Sequence, residues 1–153
     1  MFKKTFFVAF LAISFFGVTA FQTIHAQQVN WRPPYQVPES YDYSIPYAGF
    51  TSFDPYGRPF IRFNPRIASQ YPWFMNVFLR AHEYGHIFSR GPYPNPEANA
   101  DCWAAQQLGQ SDPQLLDMVI RYLETEMGPR GGEDGLHGNG YQVAKVCRQC
   151  SGR

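Results

Sequence analysis

Between residues 72 and 129, prolines and glycines divide the chain into three lengths that suit helices. "YPWFMNVFLRAHEYGHIFSRG" places Phe74, Val77, Phe78, Ala81, Tyr84 and Gly85 at helical spacing, which makes one apolar stripe. Pro72 suits a first turn, where its missing N–H costs nothing, and Gly91-Pro92 ends the run. The spacing predicts a helix over 72–89. "NPEANADCWAAQQLG" is a second, with Asn95 as N-cap, Pro96 at the first helical position and Gly109 just past the end. "SDPQLLDMVIRYLETEMGP" is a third, capped by Ser111 or Asp112 and stopped by Gly128-Pro129. Leu115, Val119, Leu123 and Met127 form its core stripe. Residues 128–140 then hold six glycines and cannot sustain a helix or strand alone; His137 lies in this loop. A short last helix over 141–150 would bury Val143, Val146, Cys147 and Cys150.

Upstream, "YAGFTSFDPYGRPFIRFNP" reads as a hairpin about the turn Asp54-Pro55-Tyr56-Gly57. Residues 59–64 are the better strand, with Phe60, Arg62 and Asn64 on one face and Ile61 and Phe63 on the other. Pro59 and Pro65 bracket it and favour a sheet edge. Residues 27–46, rich in proline, tyrosine and glutamine, read as an extended arm. Residues 1–26 carry Lys3 and Lys4, then an apolar run from Phe6 to Val18. That run is short for a span of ~20 residues and suits a secretory leader. Cleavage after Ala26, or after Ala20, would release it. The expected organisation is therefore a signal peptide at 1–26, an arm at 27–46 and one α+β domain at 47–153. That domain would have a short antiparallel sheet or hairpin and three to four helices.

The charges are 13 basic against 12 acidic residues without a run of either sign, which points away from nucleic acid and anionic membrane surfaces. Cys102, Cys147 and Cys150 all lie beyond the leader. A secreted or periplasmic location makes one disulfide and one remaining thiol the expected outcome. Three pairings are open, and a bridge from Cys102 to Cys147 or Cys150 would staple the C-terminal helix to the second helix. A Cys-x-x-Cys metal or redox site at 147–150 would lack a second ligand pair.

The chemistry concentrates in "HEYGH" and "PEANAD". His82 and His86 stand at i and i+4, so their rings leave one helix face a turn apart and can grip one zinc ion. Glu83, beside His82, suits a general base acting on water. Gly85 would keep the metal side uncrowded. A catalytic zinc takes three protein ligands and keeps one position open. A third histidine ten residues after His82 is absent, since Pro92 stands there. Glu97, at the start of the next helix after a short loop, is the natural third ligand, with Asp101 its competitor. Asp101 lies four residues further along the same face and suits the carboxylate that receives a ligating histidine's other N–H. A di-metal carboxylate bundle is set aside, because it needs two Glu-x-x-His motifs on separate helices, and beyond Glu83 and His86 the only further histidine downstream, His137, has Asp134 three residues before it and stands in the glycine-rich loop.

"HEYGH" followed by "EANAD" resembles the gluzincin peptidases, whose pattern is His-Glu-x-x-His with a downstream Glu-x-x-x-Asp. The resemblance covers roughly residues 58–110. It implies a compact zincin-like domain, zinc held by His82, His86 and Glu97, and Glu83 as base. It also implies a peptide or protein substrate paired along strand 59–64 as the sheet edge. Related chains carry a later histidine with an arginine six residues on. Here His137 is present as a possible oxyanion donor, but Val143 occupies the second position, leaving Lys145 or Arg148 as substitutes. The expected function is a secreted zinc metalloendopeptidase. The alternative is an exported zinc- or peptide-binding protein on the same scaffold with little turnover.

Overall fold

The computed structural model describes residues 31–130 and 138–153; the leader expected at 1–26 and His137 lie outside them. The elements are β1 (Glu39–Tyr41), β2 (Gly49–Phe53), β3 (Pro59–Phe63), α1 (Pro65–Ala68), α2 (Trp73–Phe88), α3 (Pro96–Ser111), α4 (Pro113–Tyr122) and α5 (Gly140–Ser151). A π-helical turn, Leu123–Met127, continues α4. Among the described residues this is an α+β fold of five helices and one small mixed sheet.

The hairpin forms as its turn chemistry predicts. Asp54 accepts hydrogen bonds from the backbone N–H of Tyr56 and Arg58, and Gly57 takes φ 76°, which a side chain would oppose. Ile61 is fully buried, while Arg62 on the opposite face reaches Asp42 at 2.9 Å. The position of β3 differs from expectation. The strand order is β1-β3-β2, so β3 is central and β2 is an edge. Neither bracketing proline removes a ladder bond: Pro59 is the first residue of β3, and Pro65 already opens α1. The other side of β3 is taken by β1, a piece of the Pro/Tyr-rich stretch, in parallel register. There Ile61 N–H donates to Pro38 O and Asp42 N–H to Phe63 O, both at 2.9 Å. The sheet is therefore mixed rather than antiparallel. Asn64 leaves the strand pattern to cap α1, accepting from Arg66 N–H and donating to Ile45 O at 2.7 Å.

β1 is also tied to the helix beneath it. The buried Tyr84 hydroxyl donates to Glu39 at 2.8 Å, and Arg80 donates to the same carboxylate oxygen at 2.8 Å. Trp31 packs edge-on against the Tyr84 ring. One continuous apolar core runs from Trp31 and Ile61 through Phe78, Ala81 and Tyr84 to Leu108, Leu116, Ile120 and Cys147. α2 lies between the sheet and α3, and α5 packs on the far side of α3.

α3 runs two residues past Gly109, to Ser111. A Cβ on Gly109 would sit 3.3 Å from both Leu116 Cδ2 and Ser151 Cβ, so its bareness serves packing rather than termination. The boundary is set by Asp112, which leaves helical geometry (φ −147°, ψ 80°) and caps α4 by accepting from Leu115 N–H. Leu115, Val119 and Leu123 are buried as the stripe predicts, joined by Leu116 and Ile120.

Cys102 on α3 is bridged to Cys150 on α5 across 48 residues, and Cys147 is buried outside any disulfide. The bridge is compatible with an oxidising compartment. Replacing Cys102 and Cys150 together by alanine should lower the unfolding free energy by about 2–4 kcal/mol, because the open chain regains the entropy of that loop. Chemical denaturation of the double variant beside the native chain measures it.

Candidate metal centre

The site begins with a contact between two backbones. A Cβ on Gly85 would lie 2.7 Å from both the Cα and the carbonyl oxygen of Ala100. No side chain fits there, so α2 and α3 cross at backbone contact. Gly85 therefore serves the helix crossing, not the open metal side that its place in the motif suggested. Glu97 and Asp101 flank Ala100, and the crossing carries both carboxylates to the histidines of α2.

The α3 terminus is built to hold Glu97 there. The Asn95 side chain accepts from Glu97 N–H at 2.9 Å, and Pro96 supplies the first helical position without an orphan donor. The carboxylate thus leaves the first turn of a capped helix, where negative charge is favoured.

His82 is almost completely buried. Its Nδ1 lies 2.8 Å from Asp101 Oδ1, and its Nε2 lies 3.1 Å from Glu97 Oε2. His86 Nε2 is 3.0 Å from His82 Nε2 and 3.3 Å from Glu97 Oε2. An ionised carboxylate can only accept, so Asp101 fixes the proton on His82 Nδ1 and turns the Nε2 lone pair toward Glu97 and His86. His82, His86 and Glu97 together could bind a metal ion: one donor atom from each lies within 4.8 Å of the others. The fit is closer than that bound. Two atoms each ~2.0–2.1 Å from one tetrahedral cation stand ~3.3–3.4 Å apart. The observed separations of 3.0, 3.1 and 3.3 Å approach that edge length. The His82 side chain is 4% exposed against 17% for Glu97 and 21% for His86, so the cluster opens to solvent on the side of the latter two.

Glu83 is not one of these three donors, and its carboxylate is held from the side of the sheet. Its Oε2 accepts from the Thr51 hydroxyl at 2.7 Å. Gly49 lies against the same side chain, where an added Cβ would come within 2.8 Å of Glu83 Cγ and Oε1. Both residues belong to β2, and sequence reading passed over them. Their only local signal was alternation within a five-residue run, which says nothing about the helix they face. Arg148 is engaged by Glu124 at 3.0–3.1 Å, and Lys145 is exposed. Asp101 receives His82 as its spacing suggested, and Cys102 beside it anchors the same turn of α3 to α5.

No family model, curated protein or solved structure matches this chain.

Without a cation, the triangle holds a proton instead. Burial disfavours the charged form of His82, but hydrogen bonds to Asp101 and Glu97 and the negative charges of Asp101 and Glu83 outweigh it, and the imidazole is pushed up to about 10. The folded pKa is raised above the ordinary 6.5, so the charged ring's contribution to stability is complete below about pH 6.5. It is lost as pH rises toward 10. The cation-free protein should thus become easier to unfold across that window, and His82→Gln should flatten the slope. A cation needs the same lone pair, so metal uptake should release protons and weaken as pH falls. Calorimetric titration in buffers of differing ionisation enthalpy counts those protons. Separately, Gly85→Ala should cost about 1–3 kcal/mol of stability by forcing the crossing apart, and should weaken metal binding with it. Denaturation and metal titration of one preparation test both effects.

Proposed function

We propose that this protein is an exported zinc metalloendopeptidase of gluzincin type, with a zincin-like domain that hydrolyses peptide bonds by adding water. The observation that carries the reading is the meeting of two imidazole nitrogens and one carboxylate oxygen at 3.0–3.3 Å, with a glutamate next to the first histidine in the chain. Two nitrogens and one oxygen form the donor set of a catalytic zinc with one position left for solvent or substrate. Bound there, zinc would lower the pKa of a coordinated water toward 7 and polarise a carbonyl.

The chain's own groups would do the rest. Asp101 holds His82 in the ligating tautomer. Glu83 takes a proton from water and returns it to the leaving amine. The substrate strand belongs along β2, the sheet edge that packs on α2 beside Glu83, rather than along β3. Asn64 N–H donates to Ala48 O and Asp54 N–H to Arg58 O, so the even-numbered residues of β2 pair with β3. The N–H and C=O groups of Gly49, Thr51 and Phe53 then point to the open edge, where an extended peptide would find them. The apolar leader and the Cys102–Cys150 disulfide both suit export.

Purified protein should carry one equivalent of zinc, and His86→Ala should lose it. Glu83→Gln should keep the metal and lower peptide cleavage by at least ~100-fold. Elemental analysis beside a peptide-library assay decides. Full zinc occupancy with no cleavage by the native chain would leave a zinc- or peptide-binding role instead.

A further inference from the structure

Glu83 leaves α2 next to a buried histidine, and something must aim its carboxylate. The nearest polar group of the sheet does so. Thr51 Oγ1 lies 2.7 Å from Glu83 Oε2 and 2.9 Å from Glu83's own carbonyl oxygen. The hydroxyl has one hydrogen for these two acceptors, and a charged oxygen at the shorter distance is the stronger one. Oε2 is thereby occupied. Oε1 accepts no hydrogen bond from a described residue and lies against the bare Cα of Gly49. Any side chain at position 49 would collide with Oε1 and with Glu83 Cγ.

We propose that Thr51 is a positioning residue that holds Glu83 by Oε2, so that Oε1, beside Gly49, is the oxygen that takes and returns the proton in peptide hydrolysis. This rests on the peptidase reading and deepens it. In the step, a water O–H bond breaks and its proton passes to Oε1, while the oxygen forms a bond to the scissile carbonyl carbon. The C–N bond then breaks and the same proton leaves Oε1 for the amine nitrogen, so Glu83 ends as it began. Thr51 undergoes no change of bonding. Its backbone N–H and C=O face the open edge of β2, so one residue would pair with the substrate main chain and aim the base. A substrate strand that stiffens β2 stiffens the hold on Glu83 with it.

The test uses the full zinc-loaded chain. Thr51→Val keeps the shape and removes the hydroxyl; it should lower kcat roughly 10- to 100-fold, the scale of a misplaced reacting group. KM and zinc content should stay within about twofold of native. Thr51→Ser should restore most of the lost kcat, because it restores the donor. Gly49→Ala, pressing on Oε1 from the other side, should lower kcat with zinc retained. A Thr51→Val enzyme with native kcat overturns the proposal and leaves the peptidase reading standing. So does a loss that serine fails to repair, or one that falls on KM or zinc content, since either marks a packing role. Native kcat in Gly49→Ala overturns the assignment of Oε1. A zinc-loaded native chain that cleaves no peptide removes the peptidase reading, and this inference with it.

Discussion

The two helices of the site touch through Gly85 and Ala100, and the spacing of the candidate metal ligands follows from how near that contact brings them. Side chains at a helix crossing usually hold the axes 8–10 Å apart. With a bare Cα on one side and a methyl-bearing residue on the other, the short carboxylates of α3 reach imidazoles on α2 directly. A larger residue at either position would lengthen the same geometry beyond the reach of one cation. The site is thus a consequence of packing density more than of loop placement. The disulfide at Cys102 fixes the outer side of the same turn of α3 to α5.

The sheet enters the site from the opposite direction. α2 has its histidines turned to α3 and its glutamate turned to β2, so the motif is divided between two interfaces of one helix. Consecutive residues on a helix are ~100° apart, and that angle places the candidate metal ligands and Glu83 against different walls. One wall is capped and cross-linked helix; the other is a strand at the edge of the sheet among the described residues. The rigid wall suits side chains that must keep their spacing to hold a cation, and the accessible wall suits the base role proposed for Glu83.

Much of this was legible in the sequence because it is local. The i, i+4 pair His82 and His86, the matching pair Glu97 and Asp101, the Asn95-Pro96 cap and the stripe of Leu115, Val119 and Leu123 all depend on helical spacing alone. What could not be read depends on partners distant in the chain. β3 becomes central because Glu39–Tyr41 pairs with Ile61–Phe63, a parallel contact that no turn signal announces. Gly109 carries the composition of a helix stop, yet the next cap, Asp112, sets the boundary and the glycine serves packing. Cys147 and Cys150 are one turn apart on α5, and only the rotation of that helix against α3 chooses Cys150 for the bridge. Thr51 gave no signal because its meaning lies thirty-two residues away in Glu83.

Tyr84 occupies a place that the His-Glu-x-x-His pattern leaves unspecified, yet in this chain it is fully committed: its ring lies in the core and its hydroxyl binds Glu39. Losing Glu39 would leave the hydroxyl of this buried side chain without its acceptor, whereas losing Tyr84 would leave Glu39 exposed and still paired with Arg80. Lineages descended from this chain that lose the carboxylate at 39 should therefore also lose the hydroxyl at 84, a one-way dependence that marks common ancestry where the bare motif, so short, marks only shared chemistry.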